Sequence, residues 1–358
     1  MKELVVISGK GGTGKTSLTA SFAVLAGHAV VADCDVDAAD LSLVLSPEIK
    51  VREEFRSGHE AAIRQADCVR CGACATYCRF EAVDQYMGGN GAPGPRGQHA
   101  ACKGCDFCQR SCSLRTYEIL REMWEASGAP GQPVFAIDPL ACEGCGVCVR
   151  FCPVHAIDFI ERVCGEWFVS DTRCGPLVHA RLGPAAENSG KLVSVVRAQA
   201  RDVAKSTGRE LVIIDGAPGI GCPVIASLTG TAAALIVTEP TVSGQHDLER
   251  VAGVARHFGV PTWVCVNKWD LNPDMTTQIE AAARRHGMHV AGRVRYDQTV
   301  TAAQVAARTI VEFTTEGVAR DVRALWQTLD ACLRTSDAQP ASGQDAVPGP
   351  AVELRSTT

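Results

Sequence analysis

Residues Gly9–Thr16 read GKGGTGKT, between an apolar run at Leu4–Ile7 and a helix-compatible run from Lys15 to about Ala26. A glycine-rich turn leaving a strand and opening a helix is the context in which successive backbone N–H groups and a helix N-terminus cradle phosphate. Lys15 is expected to reach the β and γ oxygens, and Thr16 to ligate Mg²⁺. The expected nucleotide contacts are therefore Gly9, Gly11, Gly12, Thr13, Gly14, Lys15, Thr16 and Ser17. A glycine turn without ligand is the bland alternative, and the agreement of motif with context speaks against it.

The rest of the chain is consistent with that start. Apolar runs at Val30–Asp33, Leu211–Ile214, Ala234–Val237, Trp263–Val266 and Val290–Val294 alternate with helical stretches such as Gln245–His257 and Asp274–His286. Such alternation predicts an α/β domain, a mostly parallel P-loop NTPase sheet with helices on both faces, over residues 1–50 and 166–335. With 46% hydrophobic and 21% charged positions, 358 residues can bury one large core and a smaller module. A net charge of -5 without a long Lys/Arg cluster supports neither a nucleic-acid partner nor membrane insertion. The N-terminus runs straight into a strand, which predicts neither signal peptide nor span and a cytoplasmic protein.

Eighteen cysteines are too many for a reducing compartment unless they hold metal. Twelve fall in three motifs of C-x2-C-x2-C-x3-C spacing: Cys68, Cys71, Cys74, Cys78; Cys102, Cys105, Cys108, Cys112; and Cys142, Cys145, Cys148, Cys152. This spacing is that of ferredoxin-type [4Fe–4S] ligation. Zinc prefers two separated pairs of thiolates and fits the compact spacing poorly, though for the middle motif zinc or a redox-regulated thiol site stays open. Periodicity breaks up from about Val51, and Gly88–Gly97 is turn-rich, so residues 51–165 are expected to be an inserted ferredoxin-like α+β domain. Residues 336–358, rich in Ala, Pro, Gly and Ser, are expected to be a disordered tail.

Lys10 is an extra lysine in a loop already served by Lys15. Together with DCDVDAADL at Asp33–Leu41 and LVIIDGAPGIG at Leu211–Gly221, it makes the chain resemble the MinD/ParA/Mrp and nitrogenase iron-protein class of ATPases. The resemblance covers about residues 1–325 and includes relatives with an inserted ferredoxin domain. It implies a homodimer closed by ATP, in which Lys10 crosses to the partner's nucleotide. It also implies that Asp35 orients water or acts as base, that Asp215 holds Mg²⁺, and that Gly219 senses the γ-phosphate. NKWD at Asn267–Asp270 falls where this class contacts the base, so Asn267 and Asp270 are expected base contacts. GTPases read guanine with the same four letters; ATP is favoured because the extra lysine belongs to an ATPase class.

CVRCGACATYCRFEAV from Cys68 and CEGCGVCVRFCPVHAI from Cys142 resemble the two halves of a two-cluster ferredoxin. That resemblance implies that Cys152 completes the set of Cys68, Cys71 and Cys74, and that Cys78 completes Cys142, Cys145 and Cys148. Arg79 stands where proline is usual. The middle motif would hold a third cluster. Cys222 lies seven residues after Asp215, an offset that in the nitrogenase iron-protein class suits a subunit-bridging cluster, with Cys174 or Cys164 as the second ligand; a small buried apolar residue is the alternative. The expected functions are ATP-coupled, low-potential electron transfer to a partner metalloenzyme, or carriage of a metal cofactor to an apoprotein. Spatial positioning is disfavoured, because no basic amphipathic helix follows Asp330.

Overall fold

The computed structural model of the protein describes residues 1–87, 133–183 and 189–335. Its main sheet has nine strands: β1 (Lys2–Ser8), β2 (Ala29–Asp33), β3 (Glu48–Ile63), β6 (Ile157–Thr172), β7 (Gly175–Leu182), β8 (Leu211–Pro218), β9 (Ala233–Thr238), β10 (Thr262–Asn267) and β11 (His289–Val294), in the order β11-β10-β9-β1-β8-β2-β7-β6-β3. From β11 to β7 every neighbouring pair is parallel; β6 and β3 are antiparallel. Strands β1, β2, β8 and β9 are buried almost throughout, as strands covered on both faces must be. Helices such as Ser189–Ser206 and Val318–Thr335 bury apolar stripes on the sheet's two faces, including Leu192, Val193, Val196 and Ala200 on one side and Val318, Val322, Leu325 and Leu329 on the other.

The P-loop NTPase reading of the flanks holds in detail. The expected helices appear as Val242–His257 and Pro273–Arg285. The expected boundaries at 51 and 165 do not coincide with breaks in the structure. β3 begins at Glu48 and runs sixteen residues, paired with β6 from Glu48↔Asp171 to Ile63↔Ile157. One end of this ribbon is the edge of the nucleotide-binding sheet and the other carries the cysteine region. The sequence hides it because β3 is mostly exposed and rich in charge (EIKVREEFRSGHEAAI), so no apolar alternation marks it; pairing with β6 and a few buried side chains such as Phe55 and Ala61 sustain the strand.

At the far end of the ribbon, β4 (Val83–Met87) and β5 (Pro133–Ile137) form a two-stranded sheet. Ala61, Cys74, Val83, Phe135, Cys148 and Ile157 make a small separate core there. The motif of Cys102, Cys105, Cys108 and Cys112, and the tail 336–358, lie outside the described residues.

Candidate functional site

The carboxyl ends of β1, β2 and β8 meet at one crevice, the place where open α/β sheets bind ligands. Gly14 caps the helix Lys15–Ala26 in the left-handed region (φ 92°), where any side chain would also strike Asn267 Nδ2. A Cβ on Gly11 or Gly12 would meet nothing within 4 Å, so this part of the loop faces open space that a phosphate can approach. The Thr13 hydroxyl is buried without a hydrogen-bond partner, an orphan that a phosphate oxygen would satisfy.

The two expected Mg²⁺ residues are in contact: Thr16 Oγ1 donates to Asp215 Oδ2 at 2.7 Å. Thr19, absent from the sequence-based site, donates to Asp215 Oδ1 at 3.2 Å and to the Lys15 carbonyl at 2.9 Å. Lys15 Nζ lies 3.5 Å from Asp35 Oδ2. Asp33, directly opposite Asp215 in the β2–β8 register, accepts the amides of Asp35 and Leu41 and so fixes the turn that carries Asp35. Burial, then the charge of Asp215, hold Asp33 well above the usual carboxylate range. Burial also lifts Asp215 to about 6, against the opposing pull of Lys15 and the two threonines, and raises Asp35. Three crowded acids beside a phosphate loop are the chemistry that a divalent cation relieves.

Other expected contacts are engaged within the chain. The Gly219 amide, expected to sense the γ-phosphate, donates to the Ser8 carbonyl at 2.8 Å. Lys10 Nζ is 3.3 Å from Glu239 Oε2. Asn267 Nδ2 donates to the Thr13 carbonyl at 2.8 Å, which ties the NKWD turn to the phosphate loop. Asp270 Oδ1 accepts the Tyr296 amide at 2.7 Å, and Ser17 Oγ accepts from Gln304 Nε2 at 2.8 Å. A cleft lined by Gly12, Gly14, Asn267, Lys268, Tyr296 and Gln304 opens beside the loop. It has the position a base would take.

In the cysteine region, the two outer motifs fold alike. Each enters a short helix, Ala73–Tyr77 or Val147–Arg150, through a left-handed glycine, Gly72 at φ 74° and Gly146 at φ 72°. Tyr77 and Phe151, the residues before the two fourth cysteines, stack with centroids 4.3 Å apart. Backbone amides donate to sulfur: Arg70 N to Cys68 Sγ at 3.4 Å, Ala82 N to Cys78 Sγ at 3.3 Å and Ala156 N to Cys152 Sγ at 3.2 Å. Cys68, Cys71, Cys74 and Cys152 line one cavity with Phe135 and Ile157. Burial, then the neighbouring thiols Cys142, Cys145 and Cys74, push Cys148 up to about 11. Among the described residues, no group of three or more His, Cys, Asp or Glu is arranged to hold a metal ion.

The remaining cysteines correct one expectation. Cys222 is exposed at the start of the helix Cys222–Leu228. Cys174 is buried against Leu41, Val44, Leu45 and Leu177, and Cys164 donates to the Ser57 carbonyl inside the ribbon. The exposure of Cys222 overturns its reading as a small buried apolar residue, while Cys174 and Cys164 are packed within their own chain.

Residues 4–310 match the family described as the CobQ/CobB/MinD/ParA nucleotide binding domain. An uncharacterized protein of Methanocaldococcus jannaschii is 30% identical over 278 residues, 75% of this chain and 79% of its own length. Among solved structures, the septum site-determining protein MinD of Pyrococcus horikoshii, complexed with Mg-ADP, aligns at 15% identity with a TM-score of 0.51, over 94% of this chain and 98% of its own. The cell division ATPase MinD of Pyrococcus furiosus aligns at 16% identity with a TM-score of 0.50, over 93% and 100%. The two structural matches speak for the fold; the match over residues 4–310 establishes that the chain belongs to the CobQ/CobB/MinD/ParA nucleotide-binding family.

Proposed function

We propose that the chain hydrolyses ATP as a homodimer and couples that cycle to low-potential electron transfer from [4Fe–4S] clusters to a partner metalloenzyme. The carrying observation is the β3–β6 ribbon: one continuous hydrogen-bonded element is an edge of the nucleotide-binding sheet at one end and packs against the cysteine motifs at the other. A change in the sheet's switch segments would have a hydrogen-bonded route to the cysteines, through pairing that shifts register between Ile49 and Val51, Phe55 and Arg56, and Arg56 and His59.

In the nucleotide site, Thr16 and Asp215 would hold Mg²⁺, whose charge draws the β and γ oxygens together. Lys15 would leave Asp35 for those oxygens, freeing the Asp35 carboxylate to orient water or accept its proton. Lys10 would complete the partner's site across the dimer, and Gly219 would exchange the Ser8 carbonyl for the γ-phosphate. The base preference is for adenine. The extra lysine, which belongs to an ATPase class, carries this preference; in the NKWD turn, Asp270 Oδ1 accepts the Tyr296 amide and Lys268 is paired with Glu239.

In the module, Cys68, Cys71 and Cys74 would hold one cluster with Cys152, and Cys142, Cys145 and Cys148 a second with Cys78; Cys102, Cys105, Cys108 and Cys112 would hold a third. When bound, such clusters supply one-electron chemistry at potentials set by burial and by hydrogen bonds to sulfur. The four-cysteine cavity and the amide donors to Cys68, Cys78 and Cys152 support this ligand set. The exposed edges at Cys71 and Cys145 would let a partner approach. No separate observation favours the cofactor-carrier reading.

The test is iron and acid-labile sulfide in anaerobically isolated protein, with ATP turnover measured on the same sample. About twelve iron atoms per chain are expected, falling by about a third when Cys102 and Cys105 become Ser. Iron-free protein with full ATP turnover would leave the ATPase and remove the electron-transfer reading.

A further inference from the structure

Lys10 is held by its own subunit. Its Nζ lies 3.3 Å from Glu239 Oε2, while the other oxygen of that carboxylate, Oε1, accepts from Lys268 Nζ at 2.5 Å. Glu239 follows β9, and its side chain is only 16% exposed. Burial pulls its carboxyl upward, yet Lys268 and then Lys10 hold it below the usual range. The two lysines are not equivalent. Lys268 sits in the left-handed region (φ 58°) on the NKWD turn, which Asn267 pins to the Thr13 carbonyl. Lys10 stands between two glycines, makes the longer contact and is the more exposed of the two, at 36% against 30%. Lys268 is thus the fixed partner and Lys10 the releasable one.

We propose that Glu239 is a positioning residue for Lys10: it parks the lysine on its own subunit and surrenders it when a second copy brings a nucleotide within reach. The inference rests on the reading that Lys10 acts across a dimer. Removing one partner from a shielded carboxylate would normally strand its charge. Here the carboxylate stays paired, because Lys268 remains in contact when Lys10 leaves. The incoming polyphosphate offers Lys10 several charged acceptor oxygens in place of one. Glu239 therefore sets a threshold for dimer closure, and Lys268 keeps that threshold low enough to cross. Among the sequence motifs, only the position just before Pro240 could have hinted at this role, since Glu239 belongs to none of the phosphate or switch segments.

The experiment compares Glu239→Gln, Lys268→Ala and Lys10→Ala in full-length protein, using a non-hydrolysable ATP analogue to drive dimerisation, with ADP affinity and thermal unfolding as controls for folding. Glu239→Gln keeps the shape and removes the charge. It is expected to lower the protein concentration at half-dimerisation by about fivefold and to raise kcat with little change in KM, the scale of losing one partly exposed ion pair. Lys268→Ala leaves Lys10 as the sole partner of Glu239 and is expected to shift dimerisation about fivefold the other way. A purely structural role would move both variants in the same direction. Same-sign shifts, or none, in the presence of a Lys10→Ala variant that fails to dimerise would overturn the clamp and leave the shared-site dimer intact. Normal dimerisation and turnover in Lys10→Ala would instead overturn the shared site, and the clamp with it.

Discussion

The nucleotide crevice and the cysteine module are built by opposite means. In the crevice, contacts join residues far apart in sequence: Thr16 to Asp215, Thr13 to Asn267, Ser17 to Gln304 and Lys10 to Glu239. They hold because seven parallel strands bring those residues to one edge before any ligand arrives. In the module, the contacts to sulfur are local, from Arg70 to Cys68, Ala82 to Cys78 and Ala156 to Cys152, around a core of six buried side chains. A small core of this kind supplies little stability by itself. The crevice is organised by the fold; under the proposed function, the module would be organised by what its cysteines hold.

The largest effect expected from this contrast is chemical and confined to the crevice. Asp215→Asn keeps the hydrogen bonds to Thr16 and Thr19 in part but removes the charge that would complete a magnesium site. ATP turnover is expected to fall by on the order of a hundredfold or more, with iron content unchanged. Loss of iron in this variant would show that the two regions are not independently built.

The reverse substitution is expected to be smaller in its effect on turnover. Cys74→Ser combined with Cys148→Ser removes one buried sulfur from each outer motif. Iron should fall to about a third of the wild-type content, and amide hydrogen exchange should quicken in β4, β5 and the two short cysteine helices. ATP turnover should stay within about threefold, because the crevice contacts described above join residues of the nucleotide-binding sheet and its helices. Unchanged exchange protection would mean that the module is held by its own core, and the contrast drawn above would fail.

The same difference explains what could be read in the sequence. Strands β1, β2 and β8 to β10 were legible because burial on both faces demands apolar runs, and the phosphate loop because its glycines meet a backbone requirement at Gly12 and Gly14. Ribbon strands β3 and β6 were not legible: β3 is charged and mostly exposed, β6 mixes apolar and charged residues without a clean period, and pairing between distant segments helps sustain both. Thr19, Glu239 and Lys268 were missed for a related reason, since each meets a partner that only the fold brings near. The burial of Cys164 and Cys174 was not legible, because a buried packing cysteine and a metal ligand look the same in sequence.

The smallest expected effect lies at the joint between the two regions, where β7 passes from the parallel sheet to the ribbon. His179 on β7 is buried, makes a 2.9 Å hydrogen bond between Nε2 and Ser170 Oγ, and stacks on Phe168 with centroids 4.9 Å apart. Burial lowers its pKa from 6.5 to about 4. The folded protein therefore favours the neutral ring, and the unfolded chain binds the proton first as pH falls. The resulting stability is fully present above about pH 6.5, is lost progressively between there and pH 4, and contributes at most about 3 kcal/mol. Between pH 7 and pH 5 the loss assigned to this ring is about 2 kcal/mol. Urea unfolding of the wild type and of His179→Gln at both pH values isolates the ring from the acids elsewhere, since those titrate in both proteins. The variant should lose less stability than the wild type over that interval. Equal losses would mean that the ring is solvated enough to take its proton without opening the joint, and that acid does not separate the sheet from the ribbon at this point.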